Sequence, residues 1–427
     1  MNKLIITIIA LFALPQAIGA QITLDYCMDK AETNYPLVKR YALVEKTTDL
    51  QLSDINKGWL PKIGVYGQAT VQNVVPGFPE TLKNAVAQMG QDMKGLSRLQ
   101  YKAGIDVNQT IWDGETSKSQ REIERASEAV ANASLDVQMY AVKERVMNLF
   151  FGILLMDQQI AQTENTVTLL KADRRMLESM LSNGVAMQSD VDMVEAQELT
   201  LMQQLKNARS AVSGYRDMLA IYIGESLYGK SLVTPEAIMP PQLEPARPEL
   251  SLFDAQQRLN AARNSAVTST LMPRVGFFAQ AYYGYPGLNY FESMVNRDLS
   301  FNVVAGVKLS WNIDSYYTRK NARRRLTVSD EEINADRDVF LFNNRLQSRA
   351  QTSEIDGLRS VTVDDEKIVR LRSRVREAAE SQLKNGEIDA TALLSKITDE
   401  NQARLTASYH EIQLIQSIYK LKNTLNR

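Results

Sequence analysis

The sequence predicts a mainly α-helical protein that also carries transmembrane β-structure, four strands per chain, arranged as an internal two-fold repeat. Three observations carry this prediction. First, the chain aligns with itself without gaps. At an offset of 212 residues Pro36 meets Pro248, and Leu60-Pro61-Lys62-Ile63-Gly64-Val65 meets Met272-Pro273-Arg274-Val275-Gly276-Phe277. At an offset of 202, Ala103-Gly104-Ile105 meets Ala305-Gly306-Val307, and Leu181-Ser182-Asn183-Gly184 meets Leu383-Lys384-Asn385-Gly386. A period near two hundred residues is too long for a solenoid unit and marks a duplicated domain. Second, four segments alternate apolar and polar residues with the strand period of two. Third, two stretches, 114–182 and 315–384, contain no proline.

The elements follow in order. Met1-Asn2-Lys3, the apolar run Leu4 to Leu14, Pro15 and Gly19-Ala20 form a secretory signal peptide over 1–20, with cleavage expected after Ala20. The run is too short to span a bilayer. Leu24-Asp25-Tyr26-Cys27 lacks the small residues of a lipoprotein signal, and Cys27, the single cysteine, reads as a helix-packing residue.

Repeat one, 21–234, opens with a helix over about 23–58, then strands over about 62–72 and 100–112. In the second strand Tyr101, Ala103, Ile105, Val107 and Ile111 share one face, and Lys102, Asp106, Asn108 and Thr110 the other. The ten residues missing from the second copy fall between Ala69 and Ala103, which places a loop there with a short helix near Leu82 to Met93. A long helix from about Gly114 to Ser182 follows. Ile123, Ala126, Val130, Ala133, Val137 and Tyr140 step by three and four, the seam of a coiled coil, and at 1.5 Å per residue such a helix is about 100 Å long. A shorter helix spans about 188–223.

Pro235, Pro240, Pro241, Pro245 and Pro248 break helix and central strand alike, so 235–248 is the linker. Repeat two, 249–427, repeats the order: helix about 249–270, strands about 274–284 and 300–312, long helix from Ser315 to Lys384, shorter helix about 389–425. Phe301, Val303, Ala305, Val307, Leu309 and Trp311 form the apolar face of its second strand. Strands of about eleven residues fit a tilted bilayer crossing, with Tyr101, Trp112, Tyr282, Tyr283 and Trp311 as interfacial aromatics. A soluble sheet with one buried face gives the same pattern.

Composition excludes several classes. The 49 basic and 50 acidic side chains leave a net charge of −1, against a nucleic-acid binder. One histidine, His410, and one cysteine leave no material for a zinc site or a catalytic triad; His410 reads as an ordinary surface or packing residue. No later run of eighteen apolar residues exists. Gly224-Glu225-Ser226-Leu227-Tyr228-Gly229-Lys230-Ser231 fits the written P-loop pattern, but a helix precedes it and prolines follow, so no helix can present its N-terminus to phosphate. Gly224 is read as a helix C-cap. No cofactor and no catalytic residue is expected.

Amphipathic strands have open edges, and a bilayer tolerates no unpaired backbone group. Four strands cannot close on themselves, whereas eight or more can. Two or more chains must therefore contribute, and twelve strands from three would leave a water-filled lumen.

These features resemble the TolC-like outer membrane efflux proteins. The resemblance rests on the order of elements, Asn34-Tyr35-Pro36-Leu37 and Arg247-Pro248-Glu249-Leu250, the Leu-Pro or Met-Pro step into each odd strand, Trp112-Asp113-Gly114, and Asn183-Gly184-Val185 followed by Asp190-Val191 and Ala196-Gln197. It covers essentially the whole mature chain. It implies a homotrimer in the cell outer membrane, with a twelve-stranded barrel in outer membrane lipid continued by a long periplasmic α-helical coiled-coil barrel. It further implies a passive conduit for efflux or type I secretion, docked to a periplasmic adaptor, or membrane fusion protein, and an inner membrane efflux pump. The helix turns Asn183-Gly184-Val185 and Asn385-Gly386-Glu387 would meet the adaptor, and they are also ordinary hairpin turns. Glu377 and Glu380 align with acidic residues that narrow the entrance in some relatives. Three apart, they share a helix face and would form rings of negative charge, or else stand solvated or pair with Arg372, Arg374 or Arg376. Arg319, Lys320, Arg323, Arg324 and Arg325 open the helix under the fourth strand, as a contact for anionic membrane surface or as a solvated face. The alternative to a channel is a soluble periplasmic coiled-coil scaffold or adaptor, which partitioning into detergent distinguishes.

Overall fold

A computed structural model describes residues 21–90, 94–242 and 244–426. The leader expected over 1–20 lies outside the described residues. The chain divides into two compact units.

One unit, residues 43–132 and 253–335, carries the sheet. Its strands are β1 (Lys62–Val71), β2 (Leu99–Trp112), β3 (Arg274–Tyr285) and β4 (Ser300–Ser310), in the order β1-β2-β3-β4 and antiparallel throughout. The central pairing joins the two halves of the sequence, Ile105 opposite Ala281. Register then lines up the apolar faces of all four strands: Val65, Ile105, Ala281 and Val303 form one row, and Ile63, Val107, Ala279 and Ala305 another. Among the described residues nothing covers this face, for Val65 is 81% exposed, Phe301 70% and Val307 68%. The outer edges of β1 and β4 are also unpaired within the sheet.

The fourth strand stops at Ser310, short of the predicted 312. Trp311 has already turned its indole N–H to the Leu271 carbonyl, at 2.9 Å. The loop between β1 and β2 holds a helix, α3 (Glu80–Ala87), shorter than the predicted 82–93; Met93 lies outside the described residues. The loop between β3 and β4 holds a short helix that the sequence reading lacked, Tyr290–Val295. Asn289 caps it, its side chain accepting from the Glu292 N–H.

The other unit, residues 21–42, 133–252 and 336–426, has a helical core. The predicted opening helix is two helices, α1 (Leu24–Asn34) and α2 (Lys39–Lys57), parted by a single 3₁₀ turn at Pro36–Val38. Pro36 drives Tyr35 into extended backbone, φ −64° and ψ 132°, which ends α1. The long helices are α4 (Thr116–Ser182) and α8 (Ser315–Lys384), the shorter ones α5 (Gln188–Ile223) and α9 (Ala390–Leu425), and α6 (Pro248–Ser269) opens the second half. With Tyr290–Val295 as α7, these complete the helices of the described residues. Pro248 stands at the first turn of α6, where its missing N–H costs nothing.

Two apolar clusters hold this unit. The larger joins α1, α4, α5 and α9 through Cys27, Phe150, Phe151, Leu219 and Ile415. Cys27 is a packing residue, fully buried, and burial pushes its thiol up to about 12. The second joins α4, α5, α8 and α9 through Leu170, Val194, Leu383 and Leu393. Of the predicted seam in α4, Ala133 and Tyr140 are buried and the rest half-buried. Leu135 and Met139 are buried beside them. The linker is pinned at its end. The Ala246 N–H donates to the Leu425 carbonyl at 2.8 Å, and Arg247 pairs with Glu249 while stacking over the Tyr140 ring at 4.4 Å.

Candidate functional site

The two helix turns share one backbone solution. Gly184 takes φ +80° and Gly386 φ +75°, the left-handed region that a side chain resists. In the first turn the Gly184 N–H donates to the Leu181 carbonyl and the Val185 N–H to the Met180 carbonyl, each at 2.9 Å. In the second, Gly386 donates to Leu383 at 3.0 Å and Glu387 to Gln382 at 2.9 Å. Both are Schellman closures, which satisfy the last helix carbonyls. Asn183 adds a side-chain bond to the Ser179 carbonyl at 2.8 Å. The entries into the following helices differ. Met187 donates its N–H to the Asp190 carboxylate at 2.9 Å, whereas Asp389 caps α9 directly, accepting from the Ala392 N–H at 2.8 Å.

The chemistry presented also differs. The first turn exposes Val185 and Met187, 66% and 71% accessible. The second exposes Glu387 and Asp389. One turn is apolar and the other anionic.

Glu377 and Glu380 lie one turn or two before the second closure, and their surroundings differ. Arg376, its side chain 14% exposed, pairs with Glu380, with Glu400 of α9 at 2.6 Å and, at 3.4 Å, with Glu377. Glu380 is largely buried, while Glu377 is 63% exposed. Arg372 is directed elsewhere, to Asp399 at 2.8 Å. Glu400 is the hub. It accepts from Ser373 at 2.6 Å and from Arg404 at 2.6 and 2.9 Å. Burial pushes the Glu400 carboxyl up, but hydrogen bonds from Ser373, Arg404 and Arg376 outweigh it, and the group ends below the ordinary carboxylate range. Asp173 of α4 has the opposite balance. Its burial, and then Glu380, raise it to about 6 against the pull of Arg376 and Lys384, and its Oδ2 has no hydrogen-bond partner. A cavity of 280 Å³ opens beside this lattice, lined by Asn165, Thr166, Glu400 and Arg404 among others.

Sequence reasoning singled out Glu377 and Glu380 but did not name Asp173, Ser373, Glu400 or Arg404, which the structure places around Arg376. The run Arg372, Arg374, Arg376 beside the acids was the available signal. His410 is a packing residue with a partner, its Nδ1 at 2.7 Å from the Asp365 carboxylate. Gly224 does cap α5, its N–H donating to the Ala220 carbonyl at 2.9 Å, and Lys230 is held by Glu225 at 3.4 Å. Among the described residues no group of three or more His, Cys, Asp or Glu is placed to hold a metal ion.

The polar face of the sheet is arranged around Gly104, which lies in register between Tyr66 and Tyr282. A Cβ on Gly104 would fall 2.7 Å from the Tyr282 Cβ, so only glycine admits this approach. The Lys102 ammonium sits 5.2 Å from the Tyr282 ring centre and 5.9 Å from that of Tyr66. Asp106 and Gln280, at 3.5 Å, continue the polar row. No described helix is long and apolar enough to cross a membrane.

This architecture, a four-stranded meander with an exposed apolar face and long helices closed by two glycine turns, is a fold shared with solved outer membrane channels. Solved structures with the same fold include the outer-membrane channel OprN, with a TM-score of 0.67 and 14% identity over 94% of this chain and 89% of that one. The outer membrane protein VceC of Vibrio cholerae matches with a TM-score of 0.65 and 11% identity over 94% and 95%. The open state of the Neisseria gonorrhoeae MtrE outer membrane channel matches at 0.63 and 12%, over 94% and 88%. At these identities the likeness shows the fold. Neither a protein-family model nor a curated protein sequence matches the chain.

Proposed function

We propose that this chain is the outer membrane channel of a tripartite efflux or type I secretion system, a passive conduit that performs no chemistry itself. Three copies would close a twelve-stranded barrel, and partners would supply the energy. The uncovered apolar face of the sheet, together with its two open edges, carries this reading: lipid would cover the face, and neighbouring copies the edges. The polar face, with Lys102, Asp106 and Gln280, would then line the lumen.

The turns Asn183-Gly184-Val185 and Asn385-Gly386-Glu387 would seat the periplasmic adaptor. The acidic entrance is best assigned to Glu377, since Arg376 already neutralises Glu380. The test is single-channel conductance of the detergent-extracted oligomer in a planar bilayer, comparing wild type with Glu377→Ala, Glu380→Ala and the pair. A trimer that conducts, with the larger change of cation selectivity in Glu377→Ala, supports the whole reading. Conductance indifferent to both substitutions removes the gate and keeps the channel. A monomer released by osmotic shock, without conductance, establishes the soluble scaffold instead.

A further inference from the structure

The start of α8 differs in charge from the stretch of the first half with which the repeat aligns it. Residues 315–329 contain Arg319, Lys320, Arg323, Arg324 and Arg325 and no acid. The corresponding 113–127 balance Lys118, Arg121 and Arg125 with Asp113, Glu115, Glu122 and Glu124, and Lys118 pairs with Glu115 at 3.7 Å. In α8 no such compensation forms. Among the described residues none of these five cations belongs to an ion pair, although Arg323 reaches the Thr268 hydroxyl at 3.1 Å. The nearest downstream acid, Asp330, is taken by the Asn260 amide at 2.6 Å. Arg319 keeps a buried Nε with no partner, and the other four side chains are exposed. Like charges three and four apart repel. Such a cluster is stabilised by an external anion.

Its position indicates which anion. Just past β4 stand Trp311 and Ile313, both more than half exposed, and the exposed apolar residues continue on the helix at Tyr317, 82% exposed. Tyr317, Lys320 and Arg324 follow at spacings of three and four, hence on one helix face. Arg324 lies about 10 Å beyond Tyr317 along the axis. The headgroup layer of a bilayer is about 5–8 Å thick on each side, within reach of Lys and Arg side chains that extend back toward it. We infer that this face of α8 binds the phosphates of anionic phospholipid headgroups in the leaflet adjoining the helices. The inference rests on the membrane reading above.

The three tryptophans of the chain, Trp59, Trp112 and Trp311, are all exposed and lie at the ends of α2, β2 and β4. They supply the probe. In the full chain carrying Trp59→Phe and Trp112→Phe, Trp311 fluorescence is quenched by brominated phosphatidylglycerol or brominated phosphatidylcholine in reconstituted vesicles. The expected result is stronger quenching by phosphatidylglycerol, with a preference of about fivefold per engaged cation that weakens in high salt. Lys320→Gln/Arg324→Gln/Arg325→Gln should abolish the preference while quenching by phosphatidylcholine persists, which shows that the variant still inserts. Lys118→Gln/Arg121→Gln/Arg125→Gln should retain it. Equal quenching by both lipids in the parent chain, or a preference that survives the α8 triple variant, overturns the inference. Loss of the preference on adding millimolar inorganic phosphate assigns the cluster to free phosphate and overturns the headgroup. Quenching by neither lipid means that the sheet is not in a bilayer, and the membrane reading fails together with this one.

Discussion

Asp173 of α4 and Glu380 of α8 repel each other across the packed helices, and only Glu380 forms an ion pair with Arg376. Glu380 holds Arg376, whereas Asp173 is buried with Oδ2 unpartnered.

Asp173 therefore makes stability depend on pH. Its folded-state pKa, raised to about 6, exceeds the ordinary 3.8, so the native form binds the proton more tightly than the unfolded chain. Its contribution is fully present below about pH 4 and is lost as pH rises through about 6. Glu400, held below the ordinary range, acts oppositely, losing its contribution as pH falls. Asp173→Asn should raise stability at pH 8 by about 1–2 kcal/mol and flatten the profile between pH 4 and 7, read by thermal denaturation across pH. An unchanged profile would show that Asp173 is ionised throughout.

Removing Arg376 strands Glu380 and takes one of two cations from Glu400. Arg376→Ala should destabilise by about 3 kcal/mol, because Glu400 stays buried with Arg404 as its remaining cation. Arg376→Lys should recover less than half, since one ammonium cannot reach three carboxylates in a fork. Equilibrium denaturation of the three proteins provides the comparison, and a loss under 1 kcal/mol in the alanine variant would show that the lattice is structurally idle.

Gly184→Ala and Gly386→Ala test the turns in isolation. A Cβ at either glycine meets nothing within 4 Å, so the cost is backbone strain alone, about 1 kcal/mol each. The two costs should be equal and additive, and asparagine at either site should cost less. Unequal losses in thermal denaturation would mean that one turn bears a contact beyond its own backbone.

Gly104→Ala acts through space rather than strain. Its Cβ would lie 2.5 Å from the Ala281 carbonyl and would push Tyr282 out of register. The expected loss is about 1–3 kcal/mol, seen as a smaller oligomer fraction on size exclusion in detergent. Tyr282→Ala in the same chain should restore little of it, because the Ala281 carbonyl and the Cα and Cβ of residue 282 stay in place; full recovery would place the clash on the Tyr282 ring instead.

What was legible in the sequence was local. The strands were readable because their two faces differ at every second residue, as Val65 and Tyr66 illustrate, and the long helices because proline is absent. Asn-Gly before a new helical run foretold both Schellman turns. The break at Tyr35-Pro36 was also encoded, since the residue before proline leaves the helical region, but the apolar spacing on both sides masked it. The short helix Tyr290–Val295 is too brief for periodicity, and only the Asn289 to Glu292 spacing announced it. The lattice around Glu400 was illegible for a different reason. Its members, Asp173, Arg376 and Arg404, come from three helices, and spacing along one helix carries no information about charge on its neighbours.

One backbone contact sets a timetable. The Ile22 N–H donates to the Ser231 carbonyl at 3.0 Å, and the Val233 N–H returns to Ile22 at 2.9 Å. Beside this bridge Leu24, Cys27 and Ala31 are buried in the cluster that includes Leu219 and Ile415. The first described segment of the chain thus has no backbone partner until some two hundred further residues have been made, about 10–40 s of synthesis at ordinary elongation rates. A nascent chain stalled before residue 231 should remain protease-sensitive at Leu24 to Ala31.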